Sequence, residues 1–328
     1  MATSSRGPSL LSATLASGSN LVLLQLFSRV VTFVLNQALV RLVSPQVFGT
    51  TSIQFELLLS TILFLSREGV RNALLRAPSN KESSSDQKVT GQLITNISLL
   101  PVLLGIPTAV LSAVVYLGSS SSTTSSQPHF RTSVALYVLA AFFELLSEPM
   151  YIRTQNELRF HVRVRAEGTA VMLKTVVTFL VLISMSEEWA LLAFALGQAA
   201  YGLAMLVSFA IACSGSLDFR PKRVSVAAQT RTESLLFEPA LFSLTIAMTG
   251  QSLIKHFLTE GDKFLVSRLS PLADQGGYAV AANYGSLIAR IVFQPIEETA
   301  RKCGRRSKRQ QLCSSLFSSH SLTFSSSL

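Results

Sequence analysis

Two arginines four residues apart are the side chains whose spacing in this sequence best fits ligand binding. Arg67 and Arg71 share one face if a helix runs through both. A guanidinium group binds phosphate oxygens through paired hydrogen bonds, so the two suit an anionic headgroup such as a pyrophosphate. The alternative is a local contact of Arg67 or Arg71 with Glu68. Arg165 belongs to a second basic cluster near a predicted helix start, where the helix dipole also favours anions.

Further ionisable side chains lie inside long apolar segments, and these are Glu56, Glu144, Glu148 and Lys174. Arg29 also lies in such a segment, on one helical face with Gln25 and Asn36. If the segments cross a bilayer, a central charge costs roughly 2.5–3.5 kcal/mol, so these side chains face the bundle interior or a wet cavity. Contact with a ligand is one interpretation. Mutual pairing, of Arg29 with Glu56 or of Glu144 with Lys174, is the other.

A third group of charges lies near the last two apolar segments. Lys255 and His256 end the seventh segment, and the acidic and basic cluster Thr259–Lys263, which includes Glu260, follows them. We expect a second headgroup or ion contact at this cluster. The last charged positions are Arg290, Glu297 and Glu298.

Catalytic and metal-binding patterns are absent from the sequence. The four histidines are scattered, and the three cysteines form no CxxC pair. The sequence contains no glycine-rich phosphate loop, nucleophile elbow or HExxH motif. It therefore predicts a protein that is not an enzyme, with no catalytic residue, metal ion or cofactor.

The composition identifies the elements that must hold these charges. Hydrophobic residues make up 48% of the 328 residues and charged residues 14%, against about 25% charged residues in soluble domains. The mean hydropathy is +0.43, which excludes most soluble proteins, including a nucleic-acid binder, despite the net charge of +10. A bilayer crossing needs roughly 20 apolar residues. The apolar segments are 18–43, 47–66, 91–117, 131–150, 166–186, 188–213, 239–258 and 277–296. They predict an all-α polytopic membrane protein with about eight transmembrane helices.

The distribution of basic residues predicts the orientation of these helices. Of the 28 lysines and arginines, 20 lie on one side, in the terminal segments and alternate connections. The other side carries only Arg41, Arg131, Lys263 and Arg268. Basic residues are retained on the cytoplasmic side. The asymmetry therefore predicts that both termini are cytosolic.

A short internal repeat indicates how the helices are grouped. Leu39–Gly49 and Leu265–Tyr278 both contain an arginine, a Ser-Pro pair and a glycine opening the next helix. Six predicted crossings separate the copies, which favours a parallel repeat of six helices, although generic turn chemistry could produce the same pattern. The predicted divisions are a polar N-terminus (1–17), a six-helix lobe (18–235), the start of a second lobe (236–301) and a basic, Ser-rich tail (302–328).

Taken together, the segments resemble the Rft family of eukaryotic membrane proteins. The resemblance is nearly continuous over residues 20–300. The stretches that carry it are Arg29–Asn36, Ser60–Arg71, Glu144–Pro149, Arg165–Glu167, Lys255–Lys263, Asn283–Arg290 and Phe293–Glu298. It stops near Ala300–Arg301, so we expect that the chain is truncated after residue 301 and that the tail is disordered or aberrant.

The resemblance implies a fold like that of the multidrug/oligosaccharidyl-lipid/polysaccharide exporters, with two six-helix lobes around a central cavity. It implies a flippase that moves Man5GlcNAc2-pyrophosphate-dolichol from the cytosolic to the lumenal leaflet of the endoplasmic reticulum for protein N-glycosylation. The alternatives are a non-transporting membrane protein that supports glycan-donor assembly and an ion-coupled antiporter using Glu56, Glu144 and Lys174.

The family's charged motif positions fall on residues already singled out above. They are Arg29, Arg67, Arg71, Arg165, Lys255, Glu260, Arg290, Glu297 and Glu298. The partners that the resemblance implies are membrane lipids, the dolichol-pyrophosphate oligosaccharide and other membrane proteins of the glycosylation pathway. Nucleic acid is not expected as a partner.

Overall fold

The computed structural model describes residues 34, 37–76, 92–157, 159–214, 221, 224–228, 231–235, 237 and 239–288. The predicted site residues Arg29, Arg290, Glu297 and Glu298 lie outside the described residues, as do the tail and most of the first apolar segment. Packing divides the chain into two units, Met1–Gly276 and Gly277–Leu328. Everything described below as a site belongs to the first unit.

Helices account for most of the described chain. They are α1 (residues 37–42), α2 (Pro45–Leu75), α3 (Gln92–Ser119), α4 (Phe130–Asn156), α5 (Phe160–Ser184), α6 (Glu187–Ala212), α7 (Pro239–Leu269) and α8 (Leu272–Ile288). Between α6 and α7, strands β1 (Val224–Ala228) and β2 (Arg231–Leu235) form an antiparallel hairpin. This hairpin was not predicted from the sequence, because its alternation of apolar and polar residues is too short to be distinctive.

The predicted fold class, an all-α polytopic membrane protein, is confirmed. Among the described residues, five helices, α2 to α6, are long and apolar enough to cross a bilayer. Large apolar side chains on the outer faces of α3, α5 and α6 are exposed, for example Leu103, Ile183 and Ile211. Such side chains suit contact with lipid. The crossings at 18–43, 239–258 and 277–296 stay predictions.

Helix α2 carries most of the residues discussed below and has an irregular backbone. The side chain of Ser44 accepts a hydrogen bond from the Val47 amide at 3.4 Å, and Pro45 occupies the first turn. Thr50–Phe55 and Phe64–Glu68 are π-helical. Helix α2 continues beyond the end predicted at residue 66, so Arg67 and Arg71 do lie on one helix.

Aromatic packing fixes the helices around α2. Phe55 is fully buried, and its ring lies against Phe130 of α4 at 6.0 Å, Tyr137 of α4 at 4.8 Å and Tyr116 of α3 at 6.1 Å between centroids. Nearer the other end, Tyr151 of α4 meets Phe209 of α6. These clusters hold α2, α3, α4 and α6 at fixed distances from each other, which positions the charged side chains between them.

The two copies of the predicted repeat face each other. A Cβ atom added to Gly49 would lie 2.7 Å from the Leu272 carbonyl oxygen and 2.8 Å from the Gly276 amide nitrogen. A Cβ atom added to Gly276 would collide with the Pro45 carbonyl group in turn. This reciprocal contact needs glycine on both sides. The repeat itself stays a prediction.

Helix α7 is longer than the sequence analysis predicted. Its apolar segment was expected to end at residue 258, but the helix continues through Thr259–Lys263 to Leu269. The polar cluster is helical, with Lys263 Nζ 2.9 Å from Glu260 Oε2 three residues earlier. Charged residues interrupt an apolar pattern without ending a helix, because their side chains pair with each other along the helix surface.

Candidate functional site: charges between α2, α4 and α6

Four of the predicted site residues form one cluster between α2 and α4. Arg71 donates from Nε and Nη2 to the two carboxylate oxygens of Glu148, both at 2.6 Å. Arg67 donates from Nη1 to Glu144 Oε2 at 3.3 Å and lies 3.9 Å from Glu148 Oε2. The four-residue spacing on each helix explains the arrangement, since each pair of like residues lies on one helix face.

The carboxylates are the most buried members of this charge cluster. The exposed fraction is 4% for Glu144 and 1% for Glu148. Gln198 of α6 donates from Nε2 to Glu144 Oε1 at 3.2 Å, which gives that carboxylate a second partner. Buried charges require such partners, because removing an ion from water without compensation costs several kcal/mol. The charge cluster is therefore compensated within the described helices.

The two arginines differ in how completely they are engaged. Arg71 uses two nitrogens on Glu148, and its guanidinium lies 3.9 Å from the centre of the Tyr151 ring. Arg67 makes its one hydrogen bond among the described residues through Nη1, with a longer distance. About a fifth of each arginine side chain is exposed. Arg71 thus anchors the charge cluster, whereas Arg67 retains donors for a further acceptor.

For the local alternative, a contact of either arginine with Glu68, the structure gives the carboxylate other hydrogen-bond partners. Glu68 Oε1 instead accepts hydrogen bonds from Asn72 at 3.2 Å and from Lys255 of α7 at 3.4 Å. The ion-pair contact of Glu144 among the described residues is with Arg67, not with Lys174. Both alternatives paired residues that are closer together in the sequence. The observed ion pairs, Arg67–Glu144 and Arg71–Glu148, each join residues 77 positions apart.

The remaining predicted residues lie apart from the charge cluster. Glu56 and Arg165 are exposed, and Lys174 is half-buried on α5. Near Arg165, exposed pairs form between Arg163 and Glu167 at 2.8 Å and between Arg153 and Glu157 at 2.9 Å. The hydrogen bond from Arg153 lowers the pKa of the Glu157 carboxyl. Surface pairs of this kind contribute little to stability.

A seam of contacts joins α2 to α7. His256 Nε2 lies 3.1 Å from Thr61 Oγ1, and the imidazole ring is 4.8 Å from the Phe64 ring centre. A Cβ atom on Gly69 would lie 2.5 Å from the Thr249 Cα atom and 2.7 Å from its nitrogen. The backbones of α2 and α7 therefore touch directly. Lys255 is placed here by the structure, over Glu68.

A cavity of about 590 Å³ lies between α2, α3 and α7. Its lining includes the predicted residue Glu260 and others that the sequence analysis did not single out, among them Gln54, Tyr116 and Arg268. Arg268 donates to the Ser119 carbonyl oxygen at 3.0 Å and to Ser119 Oγ at 2.8 Å. The sequence signal that was missed is the helical spacing of His256, Glu260 and Arg268 on α7, which a helix ending at 258 hides.

Curated relatives match this chain over most of its length. The Man(5)GlcNAc(2)-PP-dolichol translocation protein RFT1 of Schizosaccharomyces pombe is 35% identical, over 83% of this chain and 52% of the relative. The proteins of the same name from Eremothecium gossypii and Dictyostelium discoideum are 34% and 32% identical, over 90% and 85% of this chain and 57% and 53% of the relatives. The chain thus spans about half the length of the relatives it matches. No solved structure matches it.

A family model agrees with these relatives. The model for Rft-1, described as Rft protein, matches residues 13–304. The match includes all the charged residues described above, from Arg67 and Arg71 on α2 to Arg268 on α7. Since it extends over far more than half of the sequence, the chain belongs to the Rft protein family.

Proposed function

We propose that the protein translocates a dolichol-pyrophosphate-linked oligosaccharide, the Man5GlcNAc2 intermediate, from the cytosolic to the lumenal leaflet of the endoplasmic reticulum membrane. The names of the curated relatives support this substrate. The five membrane-length helices support a location in the bilayer. The excess of basic residues on one side supports cytosolic termini.

The charge cluster between α2 and α4 is the observation that carries this proposal. A pyrophosphate group crossing the hydrocarbon region needs cationic hydrogen-bond donors, because an unpaired charge is unstable there. Arg67 lies on a membrane-length helix, is partly exposed and binds its carboxylate partner through one nitrogen among the described residues. Its guanidinium can therefore bind phosphate oxygens bidentately.

The partners of Arg67 make this exchange feasible. When Arg67 turns toward a phosphate, Glu144 keeps the hydrogen bond from Gln198 at 3.2 Å and is not left alone. Arg71 stays on Glu148 through two short hydrogen bonds and holds α2 against α4. Arg67 thus binds the ligand, while Arg71 maintains the packing of α2 against α4.

Replacing Arg67 with glutamine is expected to lower the translocation rate at least about tenfold. A hydrogen bond to a charged group contributes about 1.5–3 kcal/mol, and each 1.4 kcal/mol corresponds to about a factor of ten. The measurement uses full-length protein in proteoliposomes containing Man5GlcNAc2-pyrophosphate-dolichol, with a mannose-binding lectin reporting the accessible leaflet. Arg67→Lys keeps the charge without the bidentate geometry, so an intermediate rate is expected.

The matched control is Arg153→Gln, which removes an exposed arginine paired with Glu157 on the same protein. The control should translocate at the wild-type rate. Equal rates for wild type and Arg67→Gln would show that Arg67 does not carry the headgroup.

A non-transporting role in glycan-donor assembly is the second candidate. It is favoured by the mutual compensation of the four charges, Arg67, Arg71, Glu144 and Glu148, which also suits a purely structural cluster. The same vesicles separate the two functions. Wild-type protein that translocates no faster than protein-free vesicles, although depleting it makes cells accumulate the Man5GlcNAc2 donor, would establish the second candidate.

A further inference from the structure

The α7 wall of the cavity presents two polar side chains one helical turn apart. His256 and Glu260 both line the cavity and are separated by four residues, so they lie on the same face of α7. Both are half-buried. The cavity wall therefore contains an imidazole and a carboxylate. An apolar ligand would form no hydrogen bonds with these two groups.

His256 has an unused hydrogen-bonding atom in this wall. Its Nε2 lies 3.1 Å from Thr61 Oγ1, but its buried Nδ1 has no hydrogen-bond partner among the described residues. Buried polar atoms in proteins are almost always hydrogen-bonded, and this unpartnered atom belongs to a ring that lines the cavity. A hydroxyl group fits either tautomer of the ring, because it can donate or accept.

Glu260 adds acceptors beside this imidazole. Its Oε2 lies 2.9 Å from Lys263 Nζ, which fixes the carboxylate and compensates its charge. A carboxylate offers about four acceptor positions, so it can still accept hydrogen bonds from ligand hydroxyls. The cavity is therefore suited to a neutral, hydroxyl-rich ligand.

Aromatic rings lie beside these polar groups. Phe257 and Phe264 both line the cavity, and Phe257 is 76% exposed. Sugar rings have apolar C–H faces and polar edges, so they pack on aromatic rings while their hydroxyls bind carboxylate and imidazole groups. The volume of about 590 Å³ lies within the range of small-molecule sites, roughly 300–1,000 Å³.

We propose that the cavity between α2, α3 and α7 binds sugar rings of the lipid-linked oligosaccharide through His256, Glu260 and Phe257. The inference rests on the proposed function, since the relatives' names supply the glycan. It assigns the glycan to a site different from that of the pyrophosphate, because Arg67 faces α4 rather than the cavity.

Two exposed polar contacts lie on either side of this site along α7. Lys255 binds Glu68 beyond one end, and Arg268 binds Ser119 at the other, with 13 residues or roughly 20 Å of helix between them. Lys255 and Arg268 are both exposed, so each contact is weak and can open.

Two glycines of α7 provide a matched test. Gly261 lines the cavity, whereas Gly250 does not, and a Cβ atom on either one would meet nothing within 4 Å. Gly261→Trp should fill the cavity, and Gly250→Trp places the same side chain on the same helix outside it. Calorimetric titration of full-length protein in nanodiscs with free Man5GlcNAc2 should show at least tenfold weaker binding for Gly261→Trp and unchanged binding for Gly250→Trp.

A second variant tests the site even if Gly261→Trp prevents the protein from folding. Glu260→Gln should weaken binding of the free glycan about tenfold, while Glu188→Gln, an exposed carboxylate at the start of α6, should have no effect. Wild-type protein that does not bind free Man5GlcNAc2, or that binds it equally well as Gly261→Trp and as Glu260→Gln, overturns the site. Translocation by the same preparation tests the proposed function separately, so the failure of one does not imply the failure of the other.

Discussion

Replacing Glu148 with glutamine is expected to lower the free energy of unfolding by about 3–5 kcal/mol. Glu148 is 1% exposed and binds Arg71 through two hydrogen bonds of 2.6 Å, so the variant leaves a guanidinium beside a neutral amide inside the helix bundle. Arg67, 3.9 Å away, loses part of its compensation as well. We expect this to be among the most destabilising single substitutions in the described helices.

Thermal unfolding of purified protein in detergent measures this effect. The control is Glu157→Gln, which removes an arginine-bound carboxylate that is 40% exposed and should change stability by less than about 1 kcal/mol. The paired replacement Arg71→Met with Glu148→Leu should recover much of the loss, because it removes both buried charges. An unfolding midpoint for Glu148→Gln equal to that of Glu157→Gln would contradict the burial and pairing described for Glu148.

The second large effect is expected from Gly69→Ala, although alanine normally stabilises a helix. The added Cβ atom would lie 2.5–2.7 Å from the Thr249 Cα and nitrogen atoms, and backbone cannot rotate away as a side chain can. Helices α2 and α7 must separate, which costs about 1–3 kcal/mol on the scale of overpacked interiors. The separation also moves one wall of the cavity, so translocation in the vesicle assay should fall.

Gly168→Ala is the matched control for this substitution. Gly168 lies in α5, and an added Cβ atom there meets nothing within 4 Å, so alanine should be neutral or raise stability by about 0.5–1 kcal/mol. The comparison isolates the close approach from helix propensity. A Gly69→Ala protein as stable and as active as Gly168→Ala would mean that α2 and α7 are not in direct contact.

Local patterns were sufficient to predict the helices and part of the charge cluster. The segments predicted at 91–117 and 188–213 agree within two residues with α3 and α6, because uninterrupted apolar runs mark bilayer-length helices directly. The spacing of Arg67 and Arg71 correctly predicted a shared face, since only the 3.6-residue period is needed. The family resemblance was likewise confirmed by the family model and the relatives.

The partners of these charges could not be predicted, because they depend on how helices pack. Nothing in the sequence near Arg71 indicates Glu148, which lies 77 residues away. The cavity was missed for a related reason: the polar residues of Thr259–Lys263 were interpreted as the end of a helix, although the helix continues and Glu260 and Gly261 line the cavity. Polarity inside a membrane protein marks a surface facing other helices or water as often as it marks a loop.

The π-helical stretch Phe64–Glu68 determines how α2 would respond to the deletion of one residue. A π-turn is an α-helix that has gained one residue and absorbed it locally in i to i+5 hydrogen bonds. Deleting one residue inside this stretch should therefore restore a regular α-helix while keeping Thr61 against α7 and Arg71 against α4. A deletion elsewhere in α2, such as within Leu57–Ser60, should instead turn Phe55 and Thr61, which lie on either side of it, about 100° out of phase. Helix α2 thus contains a position where the chain tolerates a change of length better than a change of side chain.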